Sequence, residues 1–238
     1  MSFAQATSPT LTSLKERNPV IPPLESGDYL SASEFMRRYE AMPEVKKAEL
    51  IQNQVYMASP VRVDQHAEPD GLIQTWLGIY AIATPRFRHA INGTVHLDSN
   101  NIVQPDGMLR LLPEFGGQSH LEADGYLRGA PELAVEIAYS SASKDARAKR
   151  ESYRRVGVRE YILWRTMEET LDWWCLEDGE YLVLPKDETG IVRSKTCPGL
   201  WLDVAALLAL KGERVLEVLQ QGLACRGHTE FSTLSLVG

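Results

Sequence analysis

With 238 residues, 44% of them hydrophobic and 24% charged, the chain is long enough to bury a full core and has the balance of a soluble globular protein. A formal net charge of -7 argues against a protein that coats nucleic acid through a uniformly basic surface. Three widely spaced cysteines, Cys175, Cys197 and Cys225, argue against a disulfide framework or a structural zinc site; with no apolar run of membrane-spanning length, a cytoplasmic protein without a membrane partner is expected.

Residues 1–27 are rich in Ser, Thr and Pro and read as a tail or arm. Ser31-Ala-Ser-Glu34 has capping-box spacing ahead of Phe35, Met36 and Tyr39, which predicts a short helix to about Ala41. Glu49 to Met57 reads as a hairpin about Gln52-Asn53-Gln54, with Glu49 at an exposed strand end on the simplest reading. Apolar spacing from Asp64 to Ala83 predicts a long buried helix whose first turns are made irregular by Pro69 and Gly71 and which Pro85 stops. Two strands are expected next, Phe87 to Leu97, with an Asn92-Gly93 turn signal, and Ile102 to Leu112, which carries Gln104-Pro105-Asp106-Gly107. Pro113 to Ala130 reads as a loop.

The stretch that follows puts ionisable residues where a core does not want them. Leu133, Val135 and Ile137 form one alternating set, while Ala134 and Ala138 flank Glu136 on the other, the pattern of a central strand covered on both faces. A carboxylate there costs roughly several kcal/mol unless a cation, a metal or several donors meet it. A helix is expected from about Ala142, with Ser141 as N-cap, to Gly157 at its C-terminal end. Its apolar face holds Ala142, Asp145, Ala146, Lys149, Ser152, Tyr153 and Val156, so Lys149 points towards the strand of Glu136. The outer face holds Arg147 and Arg150 among others, and Lys144 to Arg159 carries a local excess of five positive charges, either a phosphate-facing surface or a solvated helix face.

Short strands are predicted at Tyr161–Trp164, Thr170–Leu176, Tyr181–Leu184 and Ile191–Val192, with turns at Asp178-Gly179 and Thr189-Gly190. A helix within Leu200–Leu210, an amphipathic helix from Glu213 to Leu223 and a tail from Arg226 complete the chain. The fold class is α/β (α+β), a mixed β-sheet core flanked by helices, its central strand holding Glu136. The expected organisation is a tail or arm over 1–27, one domain over 28–211, and a C-terminal helix and tail over 212–238.

If the strands of Asp106 and Glu136 are neighbours, their carboxylates converge, and two hard oxygen ligands suit Mg²⁺ or Mn²⁺ that also binds phosphate. Lys149 could then orient a water or neutralise charge on phosphorus; the alternative is a structural salt bridge to Asp145 or Glu136. None of the five histidines has a partner at ligand spacing.

Pro105-Asp106 followed by Glu136-Ile137-Ala138 resembles the metal-binding motif of the PD-(D/E)XK nuclease superfamily. The longer pattern resembles its restriction-endonuclease-like Uma-two family: Glu49-Leu-Ile with Val55-Tyr-Met, His66 after Pro60, Pro131-Glu-Leu-Ala-Val-Glu136-Ile, then Ser141, Asp145, Lys149, Tyr153 and Gly157-Val-Arg-Glu160-Tyr161. The likeness spans roughly Tyr29 to Leu210 and departs from the pattern at Tyr139-Ser140 and at Trp164. It implies a restriction-endonuclease-like core in which Asp106, Glu136 and the main-chain carbonyl of Ile137 hold Mg²⁺ or Mn²⁺. It also implies that Lys149 stands in for the lysine absent at Ala138 and that Glu49 is an additional acidic member. His66, Arg147 and Arg150 become candidate phosphate contacts. The implied activity is a metal-dependent endonuclease on double-stranded DNA, acting as a homodimer to cut both strands. The alternatives are a catalytically silent binding or assembly module on the same fold, or another phosphoester hydrolase acting on RNA or nucleotides.

Overall fold

The structure, a computed structural model, describes residues 21–58, 62–139 and 144–233. In chain order its helices and strands are α1 (Ala32–Glu40), β1 (Ala48–Ile51), β2 (Gln54–Met57), α2 (Glu68–Ala83), β3 (Phe87–Ile91), β4 (Val95–Asp98), β5 (Asn101–Val103), β6 (Gly107–Leu111), β7 (His120–Leu121), β8 (Leu127–Arg128) and β9 (Leu133–Ala138). The second half adds α3 (Lys144–Val156), β10 (Glu160–Arg165), β11 (Thr170–Glu177), β12 (Glu180–Val183), β13 (Ile191–Arg193), β14 (Trp201–Asp203), α4 (Val204–Leu208), α5 (Gly212–Leu223) and α6 (Arg226–Thr233).

Two six-stranded sheets carry the fold, one in the order β2-β1-β5-β4-β8-β7 and the other β12-β11-β10-β9-β6-β3. Both are mixed: β4 pairs parallel with β8, and β9 parallel with β10. The strand of Glu136 lies in the middle of the second sheet, covered on both faces as its sequence requires. Leu133, Val135 and Ile137 pack with Ile73, Trp76 and Leu77 of α2. On the opposite face, Ala134 and Ala138 pack with Tyr153 of α3 and with Val103 of the first sheet. Helix α3 is therefore held between the sheets, its Ser152 hydroxyl donating to Asn101 Oδ1 at 2.8 Å and its Tyr153 ring lying 5.2 Å from that of Tyr161.

Local signals at element ends match their chemistry. Ser31 caps α1, accepting from the Glu34 amide at 3.3 Å. Gln52 and Asn53 both have left-handed φ, 51° and 66°, as a two-residue hairpin turn with right-handed strand twist demands. Gly157 ends α3 with φ 86°. The irregular start of α2 is a π-helical turn over Val63–Ala67. The proposed cap Ser141 lies outside the described residues.

Several expectations are corrected. The two expected strands, Phe87–Leu97 with its Asn92-Gly93 turn signal and Ile102–Leu112 with Pro105, are each two strands in different sheets: β3 and β6 belong to the second sheet, β4 and β5 to the first. The breaks face one another. Asn92 turns the chain with φ 51°, and its amide donates to the carbonyl of Pro105, whose own nitrogen cannot join a ladder. Within the expected loop Pro113–Ala130, β7 and β8 form a short hairpin anchored by the pairing of β8 with β4 and the buried Leu127. The expected tail from Arg226 is helical, because His228 is buried against Thr84, with Oγ1 to Nε2 at 2.9 Å, and Phe231 meets the Phe87 ring at 5.8 Å. At the other end, residues 21–30 run beside β2, with Leu24 buried and the Gly27 amide donating to Val55 O at 2.8 Å.

Helix α5 docks so closely that a Cβ on Gly222 would sit 2.2 Å from the carbonyl oxygen of Gly199. Gly222→Ala is therefore expected to lower stability by ~1–3 kcal/mol. Gly227→Ala in α6, whose added carbon meets nothing nearer than 4.0 Å, should raise stability by up to ~1 kcal/mol. Equilibrium urea unfolding of the two variants checks the contrast.

Candidate active site

The crossing between the sheets sets the position of Asp106. Its Oδ2 accepts the Ile137 amide at 2.8 Å and lies 3.5 Å from His66 Nε2; its Oδ1 accepts from Lys47 Nζ at 2.6 Å. The Asp106 carbonyl accepts from Gln74 Nε2 of α2 at 2.8 Å, and Gln74 is itself fixed by Asp70 and His89, each at 2.7 Å. Gly107 makes this approach sterically open, since a Cβ there would fall 2.7 Å from the Gln74 amide.

Glu136 lies one residue from the amide that holds Asp106. Its Oε2 accepts from Lys149 Nζ at 2.9 Å and its Oε1 from the Tyr153 hydroxyl at 2.8 Å. Lys149 also meets Glu49 Oε2 at 2.8 Å, while Glu49 Oε1 accepts the Gln104 amide at 2.7 Å. Glu49 is not the exposed strand-end carboxylate that a lone hairpin would present. Strand β1 lies between β2 and β5, and Glu49 is buried at 6% exposure.

Three carboxylates and two ammonium groups thus share one buried cluster. Burial alone would raise the Asp106 carboxyl, but His66, Lys47 and Lys149 outweigh it and hold the group well below the ordinary carboxylate range. Burial does dominate at Glu136, pushing it up to about 7 against the opposing pull of Lys149. Burial would lower the Lys149 ammonium, but Glu136 and Glu49 keep it well above its ordinary value. Lys47 is likewise raised, burial being overcome by Asp106 first and then Glu136. His66 is raised chiefly by Asp106. Glu160, another buried carboxylate of the second sheet, differs in kind: neutral donors from Trp173, Ser194, Lys195 and Thr196 satisfy it, so it is a structural latch.

The structure brings Asp106, Glu136, Lys149, Glu49 and His66 together. Ile137 takes part through its amide, which binds Asp106. Arg147 and Arg150 are exposed on the outer face of α3, away from the cluster, with the Arg150 guanidinium 5.2 Å from the Trp174 ring centroid. Of the two salt bridges weighed for Lys149, the one to Glu136 is present; the Asp145 side chain lies outside the described residues. Sequence reading passed over Lys47, Asn92 and Gln104. Lys47 had a signal, since it stands two residues before Glu49 and so shares its strand face.

The donor chemistry fits a small hard cation, because Asp106, Glu136 and Glu49 offer it carboxylate oxygens. The carboxylates are neutralised from within by lysines, and among the described residues no group of three His, Cys, Asp or Glu stands ready as a metal cage.

The profile of the Uma2 family, described as "Putative restriction endonuclease", matches residues 32–205. The chain belongs to the Uma2 family. A solved structure similar to it is that of a "putative nuclease belonging to DUF820" from Anabaena variabilis, with a TM-score of 0.55 and 14% identity over 73% of this chain and 97% of that one. The likeness establishes a shared fold, a mixed α+β core, for this Uma2 protein. Among curated proteins no match is found.

Removing one partner from a buried ion cluster leaves charge uncompensated. Lys149→Met is expected to destabilise this Uma2 protein by ~3–5 kcal/mol, and the triple variant Glu49→Gln/Glu136→Gln/Lys149→Met to recover most of that loss. Thermal unfolding of the two variants beside the parent measures both effects.

Proposed function

We propose that this Uma2 protein is a Mg²⁺- or Mn²⁺-dependent endonuclease that hydrolyses phosphodiester bonds in double-stranded DNA. The observation that carries the reading is the meeting of Asp106, Glu136, Glu49 and Lys149 at one point between two sheets, with Asp106 held against the strand of Glu136 through the Ile137 amide.

In this reading Asp106, Glu136 and the Ile137 carbonyl hold the cation, which when bound supplies Lewis acidity towards phosphoryl oxygens and the attacking water. The remaining roles belong to the chain. Lys149, fixed between Glu136 and Glu49, offers a positive charge to the oxygen that develops charge in the transition state. Glu49 keeps that ammonium in place and charged. His66, half-buried beside Asp106, can donate to a phosphate at the open side of the site. Arg147 and Arg150 contribute long-range attraction from α3, where a local basic surface offsets the acidic chain. A homodimer would place two such sites on one duplex.

A second reading is favoured by one observation, the internal neutralisation of the cluster by Lys47 and Lys149 without a ready metal cage. In it the protein is a catalytically silent binding or assembly module, and the charges only join the sheets. No helix among the described residues is long and apolar enough to cross a membrane.

Supercoiled plasmid separates these readings. With Mg²⁺ or Mn²⁺ the parent protein is expected to nick it, and Asp106→Asn or Glu136→Gln to reduce the rate by at least ~100-fold while circular dichroism stays unchanged. Undiminished cleavage by both variants would remove the assignment.

A further inference from the structure

Lys47 and Lys149 neutralise the same cluster, but they are held differently. Lys149 bridges two buried carboxylates, and its side chain is 5% exposed. It cannot leave without stranding Glu49 and Glu136 as unpaired buried charges. The Lys47 side chain is 24% exposed and meets one carboxylate, Asp106, and one neutral group, Asn92 Oδ1 at 3.0 Å. Asn92 is itself exposed, at the left-handed turn where β3 passes to β4. The Lys47 ammonium thus stands at the open side of the site, in contact with the carboxylate that the metal-centre reading assigns to the cation, and it can withdraw towards solvent.

Charge counting gives this arrangement a direction. With His66 neutral and all three carboxylates ionised, as cation binding requires, the two lysines leave the cluster with one negative charge. Exchanging Lys47 for a divalent cation, with Lys149 retained, brings the cluster to zero. Exchanging Lys149 instead gives the same sum but breaks two buried pairs rather than one partly exposed pair, so the exchange falls on Lys47.

We propose that Lys47 is a built-in counter-cation: it occupies the Asp106 side of the site in the metal-free protein and is displaced by the divalent cation, so that it sets the threshold for metal binding. The proposal rests on the metal-centre reading of Asp106 and Glu136. It makes Lys47 a residue that competes with the metal, the opposite of Lys149, which accompanies it.

The experiment is calorimetric titration of the full chain with Mn²⁺ alone, without DNA, comparing the parent with Lys47→Met and Lys47→Gln, each also in an Asp106→Asn background. Both single variants should bind Mn²⁺ about tenfold more tightly than the parent, a difference of ~1.4 kcal/mol, and lose the binding when Asp106 is replaced. They should also show a larger rise in Tm on adding Mn²⁺. Binding seen only in the Lys47 variants and dependent on Asp106 would equally support the proposal. Parent-like or weaker Asp106-dependent binding in both variants would overturn it and leave the metal centre standing. Absence of Asp106-dependent binding in every protein would overturn both.

Discussion

The interaction on which the rest depends is the buried Lys149 ammonium between Glu49 and Glu136. Glu49 belongs to the first sheet, Glu136 to the second, and Lys149 to the helix between them, so a single charged group ties three layers together. Such a cluster is a poor way to gain stability, since desolvating the ions offsets most of their attraction. Apolar residues of similar volume would join the sheets at less cost. What it does secure is position: the carboxylate oxygens and the ammonium are held at fixed places between the sheets. Glu160 shows the contrast within the same sheet, where a buried carboxylate with a structural task is met by neutral donors.

The fold positions this cluster at two of the places where the chain passes from one sheet to the other, β3 to β4 and β5 to β6. The turns at Asn92 and at Gln104-Pro105-Asp106 lie side by side, and each converts what would be one long strand into two short ones in different sheets. Asp106 therefore sits where backbone groups are no longer committed to a ladder. Its carboxylate can reach the Ile137 amide, and its carbonyl is free for Gln74. Helix α2 fixes that carbonyl from one side of the second sheet, while α3 delivers Lys149 and Tyr153 from the other. The site lies where both helices act on the same strands.

Much of this was legible in the sequence because burial leaves a two-sided mark. Leu133, Val135 and Ile137 against Ala134, Glu136 and Ala138 identify a strand covered on both faces, and helical spacing places Lys149 and Tyr153 on the face that meets it. The sheet changes were hidden: Asn92-Gly93 and Pro105 mark irregularities within Phe87–Leu97 and Ile102–Leu112, but neither they nor the period says which sheet each half joins. The burial of Glu49 was hidden for a related reason: it depends on β5 pairing with β1, a contact about fifty residues away in the chain. Helix α6 escaped notice because its polar sequence is organised by only two inward residues, His228 and Phe231. Lys47 was given no role, although its spacing from Glu49 placed it on the site's face.

Whether the oxygens of Asp106 and Glu136 share one divalent cation can be seen by anomalous diffraction from a crystal soaked in Mn²⁺. One anomalous peak per chain is expected, bonded to both carboxylates at about 2.0–2.2 Å, with Lys149 still between Glu49 and Glu136. No peak at that position in soaked crystals of either the parent or Lys47→Met would contradict the shared cation.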